Sequence, residues 1–298
     1  LNYYKIFGKA PELFSMGFAA YLQFMHAVKV EDGKYYGESN GEFYPIQCDY
    51  AGHFYEAWKE FDLKKIRVHN FFAILYFNFK MLPFRQAIKL PFDFYYSVRF
   101  HNLSGKVVLN CKEVYRGMFK FGGRGSEMFS RTTTIIDLKG TLELKGPLEI
   151  GHGCLLRIEN NATVSFGSNV RVGALSKIFA ENRICFGDEI DFSWESQIFD
   201  TNFHYIKDVK NNTIDSRVGS VKIGSRNWFG NRVTVMKDTV TPDDLIVASN
   251  SLCNKDYSSL PIYSVIGGIP AKQIASNKQR LFENLVDVSQ LNEKQVLK

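Results

Sequence analysis

From residue 103 onward, a bulky apolar residue recurs at every sixth position. The series runs Leu103, Leu109, Tyr115, Phe121 and, after a gap, Leu138, Leu144, Ile150, Leu156, Ala162. Small slips carry it into Phe166, Val172, Ile178, Ile184, then Phe186, Phe192, Ile198, His204. A last run holds Ile223, Phe229, Val235, Thr241, Val247, Cys253. A period of six matches neither the turn of a helix nor the plain alternation of a strand. It suits a short flat strand followed by a tight corner, with one residue per side pointing inward. Three such sides close a coil, and stacked coils bury a continuous apolar column. Glycine often follows the inward residue (Gly122, Gly151, Gly167, Gly173, Gly187, Gly224, Gly230), as expected where the backbone bends sharply. The expected fold is mainly β, a hexapeptide-repeat solenoid with an α-containing N-terminal extension.

Upstream the pattern is different. Leu13, Met16, Phe18, Leu22 and Met25 have helical spacing over 12–30, and Pro11 suits a helix start. Residues 33–45 are turn-rich with aromatics between, a hairpin signal. Residues 53–61 fit a short helix. The domain reading is an accessory region over 1–60, a basic aromatic helical or linker segment over 61–102, the solenoid over 103–275 and a C-terminal helix or tail over 276–298.

Composition changes this picture in two places. The chain has 298 residues, 45% hydrophobic and 23% charged, enough for a sizeable core. Its net charge of +6 is concentrated: between Lys64 and Arg99 seven cations face one anion, Asp93. Phe71, Phe72, Tyr76, Phe77, Phe79 and Phe84 are interleaved with them. Such a stretch fits an anionic lipid surface or a polyanionic acceptor. The commoner arrangement for an apolar helical face is a helix packed on its own domain with its cations reaching into water. No nucleic-acid motif accompanies it, and nucleic acid is not an expected partner. The five cysteines (Cys48, Cys111, Cys154, Cys185, Cys253) form no CxxC pair and have no zinc-like histidine spacing. No metal is expected, and a reducing, cytoplasmic setting is. The longest apolar patch, 71–79, is too short to span a bilayer and no signal peptide is apparent. Contact with the inner face of the membrane is left as a peripheral one.

Three stretches carry a family resemblance. They are Gln197-Ile-Phe-Asp-Thr-Asn-Phe-His204, Val221-Lys-Ile-Gly-Ser-Arg-Asn-Trp-Phe-Gly230, and the span from Ile246-Val-Ala-Ser-Asn-Ser251 through Asn254-Lys-Asp256 to Ile266-Gly-Gly-Ile-Pro-Ala-Lys272. In order and spacing they resemble the left-handed β-helix acyltransferases with hexapeptide repeats, in the branch that O-acetylates sugars, capsular polysaccharides and sialic acids. The resemblance covers roughly residues 80–275. Asn202 stands where the family has a second Asp, and Ala248 where it has a Gly.

The resemblance implies acetyl-CoA as co-substrate, a carbohydrate acceptor, and a homotrimer with sites between subunits. His204 is the candidate general base for the attacking hydroxyl, since imidazole titrates near working pH. Asp200, four residues earlier, could accept the other ring N–H, or form a corner-stabilising turn instead. For coenzyme A the resemblance implies Trp228 beside the pantetheine or acceptor, backbone groups of Ala248 and Ser249 on the pantetheine amides, Lys255 and Lys272 on phosphates, and Ile269, Pro270 and Ala271 as an apolar wall for adenine. The polar stretch 205–220 interrupts the repeat and would either wall the acceptor site or form a solvated loop. No Ser or Cys stands beside a base, so direct attack is expected over a covalent route. The alternatives are N-acetylation of an amino sugar or other small molecule, and a non-enzymatic glycan-binding scaffold.

Overall fold

The computed structural model describes residues 69–123, 130 and 132–281, together with the backbone of three strands nearer the N-terminus. The chain divides into two units, Leu1–Arg67 and Val68–Lys298. In the first, Lys29–Glu31, Lys34–Ser39 and Glu42–Ile46 form an antiparallel sheet, with Ser39 opposite Glu42 at the hairpin end. The hairpin expected over 33–45 is there. Lys29 and Val30, expected to end a helix, are strand; the rest of that helix and the one over 53–61 lie outside the described residues.

The second unit is a three-sided left-handed parallel β-helix. Its faces carry sheets of nine, seven and five strands. On the first face the inward residues are in register as Phe94, Phe121, Ile150, Val172, Phe192, Phe229, Val247 and Ile266. On the second they are Phe100, Ile136, Leu156, Ile178, Ile198, Val235 and Cys253. On the third they are Leu109, Leu144, Phe166, Phe186 and Ile223, and single bridges from Lys222 to Val240 and on to Asp256 continue that face. Like side chains stack along the axis. The rings of Phe192 and Phe229 lie 3.9 Å apart and 9° from parallel, those of Phe166 and Phe186 4.7 Å and 3°. Each fully buried ring of this kind contributes about 2–3 kcal/mol of apolar transfer.

Almost every residue of the six-residue series is buried, from Leu138 to Cys253. Two members differ. Tyr115 is 48% exposed on the irregular connection that precedes Phe119–Gly123, and His204 is exposed for a reason given below. Of the corner glycines Gly122 has the positive φ expected of a sharp bend, and the others need a different explanation. Gly151, Gly173 and Gly230 do not have positive φ; that conformation belongs to residues two positions on, such as Leu175 and Arg232. What these glycines permit is close stacking: a Cβ on Gly230 would lie 2.6 Å from the Ser249 amide nitrogen of the next coil. Ala248 occupies the same corner column, and its methyl group is accommodated because the next coil has Gly267 there.

The solenoid starts earlier than the pattern indicated. Phe92–Phe94 and Val98–Leu103 already pair in parallel with Phe119–Gly123 and Thr134–Leu138, so the first coil begins at residue 92 instead of 103. The six-residue rhythm misses it because insertions swell the first turns. Helix α1 (Phe71–Met81) and the short α2 (Phe84–Ala87) precede this coil. Asn70 caps α1 by accepting from the Ala73 amide, and Pro83 follows its end. Phe77 is fully buried against Phe92, Phe94 and Phe100, at ring distances of 4.7, 5.1 and 5.5 Å, so α1 plugs the open end of the column. Buried Asn78 ties the two together. Its amide donates to the Ile74 and Phe92 carbonyls, and its oxygen accepts from the Phe92 amide. At the other end Val265–Gly268 turns back on Ala271–Ala275. Residues 276–281 form no helix, and the remainder of the expected C-terminal element lies outside the described residues.

Candidate active site

After Gln197–Phe199 the chain leaves the solenoid at Thr201 and returns at Val218, a pair that bridges antiparallel at the neck. The Asn202 amide donates to the Arg217 carbonyl and the Gly219 amide to the Asp200 carbonyl, at 2.8 Å each. Between them stands a hairpin, Ile206–Asp208 paired with Thr213–Asp215. The stretch expected to interrupt the repeat is thus an ordered, exposed projection. Asp208 shapes its tip by accepting from the Lys210 and Asn211 amides.

His204 rides on the base of this projection. Its position six residues after Ile198 is therefore not a coil position, and its ring is exposed with no hydrogen bond among the described residues. An aromatic cluster adjoins it. Phe203 packs edge-on against Phe179 and Phe199, at 4.9 and 5.5 Å, while remaining 42% exposed. Arg217 lies over the Tyr205 ring and pairs with Glu181, which anchors the projection to the coil before it.

Asp200 does not reach His204. It comes two residues after Ile198, the spacing of an inward side chain, and is completely buried. Its two oxygens accept from the amides of Glu181 and Asn182, at 2.8 and 2.9 Å. The carboxylate forms no local turn of its own; it stabilises the corner of the preceding coil instead, and the orienting contact with the imidazole is absent. Burial raises its carboxyl above the ordinary range, opposed by these backbone hydrogen bonds.

The residues expected at coenzyme A mostly gather elsewhere. Trp228 is half-buried on the outer side of the first face, between Asp191 and Ile246. Its indole N–H points to the Ser193 hydroxyl at 3.4 Å, and the Arg280 guanidinium lies 5.2 Å from the ring centroid while pairing with Asp191 at 2.6 Å. Arg280 was not singled out from the sequence, since it belongs to no repeat; only the returning tail brings it to Trp228. Ala248 and Ser249 form the corner between the first and second faces. The Ala248 amide is taken by Ile266 and its carbonyl accepts from Ser251, so it offers no free N–H. Ser249 is exposed, with its hydroxyl on Asn231, and among the described residues its amide has no acceptor. Ile269 and Pro270, joined by a cis peptide, and Lys272 are exposed on the terminal hairpin. Ala271 is fully buried, its carbonyl accepting from the Tyr257 hydroxyl, so it cannot wall a ligand. Lys255 is apart from these: it follows Leu252–Cys253 on the second face, on the same side as His204. A groove of about 290 Å³ on the first face, nearer the N-terminus and lined by Lys120, Glu149, Arg171 and Asp191, includes none of the residues expected at the site.

In a three-sided prism the corner between the second and third faces lies opposite the first face. His204 leaves from that corner, whereas Trp228 and Lys272 stand on the first face. Within one chain they stand on opposite sides of the solenoid. Among the described residues no His, Cys, Asp and Glu group could hold a metal ion. Burial pushes the Cys154 and Cys253 thiols up to about 12, so neither supplies a thiolate near neutral pH.

The architecture defines the class: a hexapeptide-repeat protein of the left-handed β-helix type. No protein-family model matches the chain. It is similar to WbbJ of Escherichia coli (strain K12), whose name gives it O-acetyl transfer in lipopolysaccharide biosynthesis, with 27% identity over 163 residues, 50% of this chain and 82% of that one. Among solved structures it is similar to the polySia-specific acetyltransferase NeuO, with 17% identity, a TM-score of 0.42 and coverage of 67% of this chain and 88% of that one. It is also similar to the hexapeptide-repeat acetyltransferase VCA0836 from Vibrio cholerae, solved with acetyl coenzyme A, at 18% identity and a TM-score of 0.33. That match covers 45% of this chain and 66% of VCA0836, just under two thirds. The similarity to WbbJ agrees with the resemblance read from the motifs.

Proposed function

We propose that the chain is an O-acetyltransferase that moves an acetyl group from acetyl-CoA to a hydroxyl of a cell-surface polysaccharide or its precursor. The observation that carries this reading is the exposed, unbonded imidazole of His204, held out of the solenoid at the one long interruption of its later coils. The similarity to WbbJ supports O-acetyl transfer, and VCA0836 holds acetyl coenzyme A. In this reaction the acceptor hydroxyl attacks the thioester carbon as His204 takes its proton. The C–O bond forms, the C–S bond breaks, and the coenzyme leaves as a thiol after taking up a proton. Direct attack is supported by the raised Cys154 and Cys253 thiols, which leave no ready nucleophile among them.

The coenzyme would lie along the first face, with the Ser249 amide open to the pantetheine arm, Trp228 and Ile269 as apolar contacts, and Lys272 and Arg280 as cations for phosphate. Because His204 belongs to the opposite corner, the reading requires a second copy of the chain to bring its histidine to this face, and a closed trimer satisfies that need for every copy. The free thiols of Cys111, Cys154, Cys185 and Cys253 support a cytoplasmic setting, and the exposed rings of α1 support peripheral contact with the inner face of the membrane. Incubation with acetyl-CoA and a panel of bacterial surface glycans tests the proposal. Expected are thiol release and a glycan product heavier by one acetyl group, with the added mass lost in mild alkali as esters are. An alkali-stable product would make the enzyme an N-acetyltransferase, and no transfer to any glycan would overturn the reading.

A further inference from the structure

Helix α1 is apolar on both sides. Ala73, Ile74, Phe77 and Met81 are buried on the first coil, yet Phe72, Tyr76 and Phe79, spaced by four and three residues along the opposite side, are 83%, 56% and 48% exposed. Phe84 of α2 adds a ring that is 70% exposed and 6.2 Å from Phe79. A helix apolar all round is normally covered on every side. Around these rings the exposed charges are Lys80, Arg85 and Lys89, and no Asp or Glu occurs from residue 64 to residue 92. The first acid, Asp93, is engaged by His69.

We infer that the outer side of α1 and α2 docks on an anionic lipid surface, the rings entering the headgroup boundary and the cations meeting lipid phosphates. The inference deepens the membrane contact proposed above and stands apart from acyl transfer, which is measured in solution. Charge complementarity selects this occupant. A lipid surface offers both apolar depth and dense negative charge. Among the described residues no helix is long and apolar enough to cross a membrane, so the contact is peripheral.

The test is co-sedimentation of the full chain with sucrose-loaded vesicles. Expected is binding to vesicles of phosphatidylglycerol and phosphatidylcholine that weakens with salt, with little binding to phosphatidylcholine alone. The double variant Phe72→Ser, Phe84→Ser changes only exposed rings, and should lower partitioning about 10-fold or more. Lys80→Glu with Arg85→Glu should abolish the preference for the anionic vesicles. Unchanged melting curves and transferase activity in solution would show that fold and site are intact. The inference is overturned if the chain stays in the supernatant with anionic vesicles, or if the ring variants bind as well as the parent. It is also overturned if the ring variants reduce the oligomer order measured by light scattering, which would make this face a contact between copies.

Discussion

Asp200 reaches back one coil to the backbone amide of Asn182, 2.9 Å away, and takes the Glu181 amide with its other oxygen. A carboxylate in the interior thus closes the corner from which the histidine-bearing projection departs. Replacing it by Asn leaves one of these amides facing an NH2 group, and should cost about 1–3 kcal/mol in denaturant unfolding. The pH dependence has a definite sign. Burial raises the folded carboxyl above its unfolded value despite the backbone donors, so the native state holds this proton more tightly. That contribution is complete below the unfolded value and is lost as pH rises through the raised folded one. The advantage of the parent over Asp200→Asn should therefore shrink with rising pH across that interval; growth there would contradict the assignment.

His204→Ala should reduce transferase turnover by ~10²–10⁴ while changing unfolding free energy by less than about 0.5 kcal/mol, because the ring is exposed and makes no bond. Steady-state kinetics beside a melting curve separates the two. A variant that keeps its activity would remove His204 from the chemistry.

The opposite placement of His204 and Trp228 predicts complementation. His204→Ala and Trp228→Ala chains, each feeble alone, should regain part of the parental activity when unfolded together and refolded as a mixture. Activity in the mixture equal to the mean of the two would show that both residues serve one chain's own site.

Gly230→Ala should be destabilising by about 1–3 kcal/mol, since its methyl group would sit 2.6 Å from the Ser249 nitrogen. Ala248→Gly at the next step of the column should be far milder, for Gly267 already gives that methyl its space. Thermal unfolding of the two variants makes the comparison.

Asn78→Leu keeps the branched heavy-atom skeleton and deletes three hydrogen bonds at the plugged end. Loss of about 2–4 kcal/mol is expected from stranding the Phe92 amide and carbonyl. Hydrogen exchange should show it first at Phe92–Phe94.

The six-residue spacing of Leu144, Ile150 and Leu156, and again of Phe229 and Val235, was enough to specify a stacked, three-sided coil, because such a coil buries an apolar residue at every sixth position. Local chemistry also exposed the stretch over 205–220 as a departure, through its run of Lys, Asn and Asp where inward residues should be. Register and reach were decided by the tertiary structure. Asp200 and His204 are four residues apart, yet one turns into the core and the other out with the projection, since the chain leaves the coil between them at Thr201. Ala271 reads as part of an exposed loop but is buried by the hairpin that folds over Tyr257. Arg280 joins Trp228 and Asp191 only when the tail returns to the first face. Periodicity reports which side of a repeat each residue faces; it carries no information on which coil, corner or partner chain lies across from it, and those relations come from stacking in three dimensions.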